Sequence, residues 1–81
     1  MKPNLDKVDE AVLALLYLTS FTEGKGELAL TRAWKGHDWD ALDRLHKKGL
    51  ISDPKKKAKS VAMSQEGRQL SEEVFRRLFC E

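Results

Sequence analysis

Cysteine is all but missing from this 81-residue chain: Cys80 stands alone near the C-terminus, so no internal disulfide can form, which points to a reducing, cytoplasmic compartment. Long apolar runs are missing too. The longest, "AVLALLYL" from Ala11 to Leu18, falls far short of the roughly 20 residues a helix needs to cross a bilayer. Nor does this stretch look like a secretory signal, because Asp6, Asp9 and Glu10 stand where such a leader is expected to be basic. No internal repeat occurs, and only "KKKAK" approaches low complexity.

What is present is an ordinary globular balance, 41% hydrophobic and 35% charged, unlike the apolar-poor composition of a disordered chain. The length suits one domain, residues 1–81, burying only about 60–65% of its unfolded surface, so a partner subunit would help it. The net charge of +2 is small, but its distribution is uneven. Residues 47–59 hold six lysines, Lys47, Lys48, Lys55, Lys56, Lys57 and Lys59, against Asp53 alone.

The first helix is expected to begin near Asp6, whose side chain can cap the first turn, with Asp9 and Glu10 matching the positive end of the dipole. Val8, Ala11, Val12, Leu15 and Leu16 form an apolar stripe, and Leu13, Tyr17 and Leu18 carry it round most of the circumference. A helix apolar nearly all round needs cover on several sides, which favours a homodimer. The following "FTEGKGELALTRAWKG" reads as a loop at Gly24 to Gly26, then either a short helix over Glu27 to Trp34, stopping at Gly36, or a short strand around "LTRAW".

"HDWDALDRLHKKGLI" is a helix with clear signals: Asp38 as N-cap, Ala41, Leu42 and Leu45 as the buried stripe, and Gly49 as a left-handed C-cap. Asp40 with Arg44 and Asp43 with Lys47 are acid-before-base pairs four residues apart. "LISDPKKKAKSVAM" reads as strand, turn, strand, from Leu50 to Ser52 and from Lys59 to Met63, with Pro54 in the turn and Val61 and Met63 sharing a face. Ser64 then caps a last helix in which Leu70, Val74 and Leu78 form one row and Phe75 and Phe79 a second. Glu72 with Arg76 and Glu73 with Arg77 repeat the paired-charge device. Leu13, Tyr17, Leu70, Val74, Phe75 and Leu78 are the residues expected at a dimer interface.

This order of elements predicts a mainly α chain with a small β-hairpin, a winged helix-turn-helix. "LDRLHKKGLI", followed by a basic hairpin and "MSQEG", resembles the L-x-x-L-x-x-x-G-L-I, hairpin, L-T-x-x-G pattern of winged-helix regulators such as the MarR and PadR groups, over about half the chain. "DEAVLALLYLT", "RAWKG" and "DWDALDRLHKKGLI" look like a family of small bacterial proteins of this length with no assigned function, over most of the chain. The winged-helix resemblance implies that Trp39 to Lys48 enter the major groove and that Asp53 to Lys59 form a wing along the backbone of duplex DNA.

The residues themselves divide on that implication. Asp38, Asp40 and Asp43 oppose phosphate at the start of the second long helix, whereas Lys47, Lys48, Lys55, Lys56, Lys57 and Lys59 suit it. The alternative for these lysines is a solvated turn that guards the hairpin edge. No aromatic residue is interleaved with them, so the sequence shows no stacking platform for single strands. Trp34 and Trp39 read as core, closing a small domain, in preference to a partner surface. Asp38 is better used as a cap than as a metal ligand beside His37, Asp40 and Asp43, and His46 and Cys80 lack the neighbours of catalytic groups. Neither an enzyme nor a cofactor is predicted. Two readings stay open: a dimeric winged helix gripping duplex DNA with its wing, and a dimerisation or protein-interaction module on the same scaffold.

Overall fold

A computed structural model describes all 81 residues: helix α1 (Leu5–Leu18), strands β1 (Phe21–Glu23) and β2 (Leu30–Trp34), helix α2 (Trp39–Lys47), strand β3 (Ser60–Ala62) and helix α3 (Gln65–Phe79). A 3-10 turn at Gly26–Leu28 joins β1 to β2. The architecture is α+β, three helices with a three-stranded antiparallel sheet in the order β1-β2-β3.

Helix α1 is capped two residues earlier than its acids suggest, because it is the Asn4 side chain, not that of Asp6, that accepts from a first-turn amide, that of Lys7 at 3.2 Å. Asp6 is left as a first-turn acid at the positive end of the dipole. The helix is the centre of the fold. It packs along α3, against α2 and onto β2, burying Asp9, Val12, Leu13, Ala14 and Leu16. Its broad apolar circumference is thus largely consumed within one chain.

Of the two alternatives open for residues 27–34, the strand prevails. Period two puts Thr31 and the fully buried Ala33 on the inner face and Arg32 and Trp34 on the outer one, with Phe21 opposite Arg32 and Glu23 opposite Leu30. No α-helix forms between β1 and α2, and Gly36 ends no helix. The short element between the first two long helices is therefore the second strand of a β-hairpin, β1 with β2.

Helix α2 begins where expected, with Asp38 accepting from the Ala41 amide at 3.0 Å, and buries Ala41, Leu42 and Leu45. It ends in a Schellman turn: Gly49 at φ +77° donates to the His46 carbonyl and Leu50 to that of Leu45, at 2.9 and 3.1 Å. Beyond it the expected two-stranded wing shrinks to one bridge, Ile51 with Met63. The Ser52 hydroxyl takes the Ala62 amide at 2.9 Å in place of a backbone carbonyl, and Pro54 has no amide to extend a ladder. Strand β3 pairs instead with β2, Ala33 opposite Val61 and Trp34 opposite Ser60, and Val61 and Met63 are buried together as anticipated.

Ser64 caps α3 through the Gly67 amide at 2.9 Å. Gly67 is there by necessity, since a Cβ at this position would lie 2.0 Å from the Leu50 carbonyl oxygen. That close approach clamps the start of α3 onto the end of α2. The core so enclosed joins Leu13, Leu16, Leu42, Leu45, Leu50, Ile51 and Val61.

Candidate nucleic-acid interface

The carboxylate of Asp9 is the electrostatic hinge between α1 and α2. Its side chain is only 3% exposed. Arg44 Nε lies 2.9 Å from both of its oxygens, Arg44 Nη2 lies 2.8 Å from Oδ1, and Lys48 Nζ lies 3.3 Å from Oδ2. Burial alone would raise the Asp9 carboxyl, but the hydrogen bonds and charges of Arg44 and Lys48 prevail and hold it below the usual carboxylate range. Arg44 is thus engaged inward by Asp9 and not, as its spacing suggests, by Asp40. Likewise Arg77 reaches Glu10 on α1 at 2.5 Å instead of Glu73. The pairs Lys47 with Asp43, at 2.9 Å, and Arg76 with Glu72, at 3.5 Å, do form.

Six lysines were expected to act together, and the structure divides them. Lys47 and Lys48 face carboxylates on α1 and α2. Lys55, Lys56, Lys57 and Lys59 are exposed, and no carboxylate comes within 4.0 Å of them. Lys55 is still near enough to Asp43 to help Lys47 hold that carboxyl below its ordinary range, so the front of α2 tempers part of the basic field.

The turn that carries these four lysines is braced. Asp53 Oδ1 accepts from the Lys55 amide at 2.9 Å, Pro54 is buried, and Lys35 Nζ donates to the carbonyls of Pro54 and Lys56 at 2.8 and 2.5 Å. The same ammonium lies 5.9 Å from the centre of the Trp39 ring, within cation–π range. Lys35 has no sequence signal: it follows a strand as an ordinary exposed lysine would. His46 is likewise structural, its Nδ1 3.0 Å from the Ile51 carbonyl, an acceptor that requires Nδ1 to carry the proton.

Trp34 and Trp39, expected in the core, are 54% and 57% exposed. The reason is geometric: alternation along β2 assigns the inner face to Ala33, where α1 comes close, and turns Trp34 outward. Of the expected dimer residues, Leu13 and Val74 are buried within the chain and Leu70 packs against the core. Tyr17, Phe75 and Leu78 remain at the surface, where Phe75 lies 5.2 Å from the Tyr17 ring and 5.6 Å from that of Phe79. The Tyr17 hydroxyl donates to Glu72 at 3.2 Å; partial burial, then this carboxylate, raise its pKa.

With this geometry in hand, comparison with known proteins places the chain. Residues 4–81 match the model of a family described as a domain of unknown function, DUF6429. The chain belongs to this family. A relative from Sinorhizobium fredii (strain NBRC 101917 / NGR234), the uncharacterized protein y4hR, is 52% identical over 79 residues, covering 98% of this chain and 97% of its own length. No solved structure matches. Neither description names an activity. No helix in this member of the family is long and apolar enough to cross a membrane.

Proposed function

We propose that this protein is a small, non-catalytic nucleic-acid-binding domain on a winged-helix-like scaffold, acting as a homodimer that grips the backbone of duplex DNA with the turn between α2 and β3. The observation that carries the reading is the braced turn with its four exposed lysines and no carboxylate within 4.0 Å of their ammonium groups. A braced backbone lowers the backbone entropy lost when phosphates bind, and each phosphate neutralised releases counterions. The resemblance to winged-helix regulators agrees with the position of the turn, while the β-hairpin ahead of α2 and the acids Asp38 and Asp40 at its front depart from them. The grip therefore falls to Lys55, Lys56, Lys57 and Lys59, with Lys47 and Lys48 as flanking charge.

Fluorescence anisotropy of a labelled duplex across salt concentrations tests this. With three or four phosphates engaged by each turn, log K should fall against log salt with a slope of about −3 when one turn binds and about −6 when both turns of the dimer do, and the Lys55→Glu, Lys56→Glu, Lys57→Glu triple variant should lose binding. Absence of binding at low salt would end the proposal.

A second reading, a protein-interaction or dimerisation module without DNA binding, is favoured by the Tyr17, Phe75 and Phe79 rings with the 43%-exposed Leu78 beside them. Light scattering of the eluting protein distinguishes it: a dimer that persists in high salt, with no duplex bound, supports this reading, and a monomer counts against the dimer in both.

A further inference from the structure

The sheet has a covered side and an open one. Ala33 and Val61 point into the core, whereas the open side carries Phe21, Leu30, Arg32 and Trp34, with Leu30 48% and Trp34 54% exposed. The Phe21 and Trp34 rings lie 5.2 Å apart, inclined by 35°, so together they make a gently folded aromatic surface. Arg32, opposite both Phe21 and Ala62, is tied down by Nε to the Ser60 hydroxyl at 2.8 Å and by Nη2 to the Ser60 carbonyl at 3.0 Å. Its remaining N–H groups stay available as fixed donors.

The lysine turn begins at the edge of this surface. Trp34 is paired with Ser60, and the next backbone bond, from the Lys35 amide to the Lys59 carbonyl at 3.3 Å, leads directly into the turn. The sequence separates Trp34 from the lysines by 21 to 25 positions and Phe21 by 34 to 38, and the sheet removes that separation. At the opposite end of the face stands Glu23, opposite Leu30.

We infer that the open face of the sheet, with Trp34 and Phe21 as stacking surface and Arg32 and the Lys55–Lys59 turn as phosphate contacts, binds single-stranded DNA. Charge complementarity selects the occupant. A chain of planar bases joined by phosphates matches an exposed indole, backed by the half-buried Phe21 ring, that borders cations at one end, in the manner of sequence-tolerant single-strand sites. An apolar partner would have to cover Arg32 and the adjoining lysines without offering anions. The surface has room for two or so stacked bases, and the strand then passes over the lysines. The inference shares the phosphate grip with the proposed duplex-binding turn and adds a base-binding element that duplex contact does not use.

The test uses a Trp39→Phe background, in which Trp34 is the one remaining indole. An oligothymidylate of about 15 nucleotides, within the range covered by a small single-strand site, should quench Trp34 fluorescence as bases stack. Trp34→Ala in the native background should weaken the oligonucleotide about tenfold, equivalent to about 1.4 kcal/mol, while Trp34→Phe, which keeps a ring, should restore most of the affinity. Binding of a duplex of equal length should stay within about twofold in both variants. The inference is overturned if no quenching occurs, if Trp34→Ala weakens duplex and single strand equally, if an oligouridylate binds about tenfold tighter than the oligothymidylate, or if the face proves to bury itself in a second copy that excludes the oligonucleotide. Quenching without any duplex binding would uphold the aromatic site and refute the duplex grip. Duplex binding without quenching would do the reverse.

Discussion

Replacing Asp9 by Asn should cost this protein far more stability than the loss of an acid near a helix start would suggest. The substitution keeps the size of the side chain, but it removes the negative charge shared by Arg44 and Lys48 and turns an amide NH2 toward the guanidinium. Removing one member of a fully buried ion pair costs about 3–5 kcal/mol, because the other charge is stranded. Here Arg44 keeps 28% of its side chain exposed and Lys48 keeps 48%, so water relieves part of the penalty, and a loss of about 2–3 kcal/mol follows. For a domain of this size that lowers Tm on the order of 10–20 °C. Urea unfolding at neutral pH measures it directly, and a change in midpoint at constant slope keeps the comparison two-state.

The pH dependence supplies an independent check. The Asp9 carboxyl is depressed in the folded chain, so its contribution is complete above the ordinary carboxylate value and is lost as pH falls through the depressed one. The native protein should therefore lose stability on acidification more steeply than Asp9→Asn, and the two curves should converge at low pH. A variant within about 0.5 kcal/mol of the native protein at neutral pH, comparable to a surface change, would refute the argument. So would parallel pH curves.

Gly67→Ala should destabilise by about 2 kcal/mol or more by urea midpoint, since the clash with the Leu50 carbonyl outweighs the roughly 1 kcal/mol that alanine gains in helix propensity. Ser64→Ala should cost about 1 kcal/mol, because the hydroxyl both caps the Gly67 amide and donates to the Leu50 carbonyl at 3.3 Å. Lys35→Met, which keeps the aliphatic stem and removes the ammonium, should change global stability by less than about 1 kcal/mol yet speed trypsin cleavage within residues 55–59, with limited proteolysis as the readout.

The helices were legible because their signals are local. Asp38, Gly49 and Ser64 act on amides and carbonyls within a few residues, and Leu42, Leu45 and Val74 show the helical period plainly. The hairpin was half legible: Leu28, Leu30 and Ala33 suit either period, and only the proximity of α1 to Ala33 decides in favour of a strand. The charge network was misread for a related reason. Arg44 has an acid four residues before it, but Asp9 lies 35 positions away in sequence, and contact across helices offers Arg44 a buried carboxylate with both oxygens in reach. The outward turn of Trp34 was hidden in the same manner, because strand alternation distributes size only once the covered face is known. Of the candidate site, the lysine cluster was visible as composition, whereas its brace, Lys35, and its aromatic neighbours were not.

The turn between α2 and β3 is held by groups at its margins and outside it: Lys35 from the end of β2, Pro54 beneath, and Asp53 at its entry. The side chains of Lys55, Lys56, Lys57 and Ala58 are therefore released from structural duty. They form a small region in which sequence can vary without reopening the folding problem, so the charge of this surface and fold stability can change separately in this molecule. A library randomised at these four positions alone should retain the native unfolding midpoint while ranging widely in affinity for the duplex DNA proposed above.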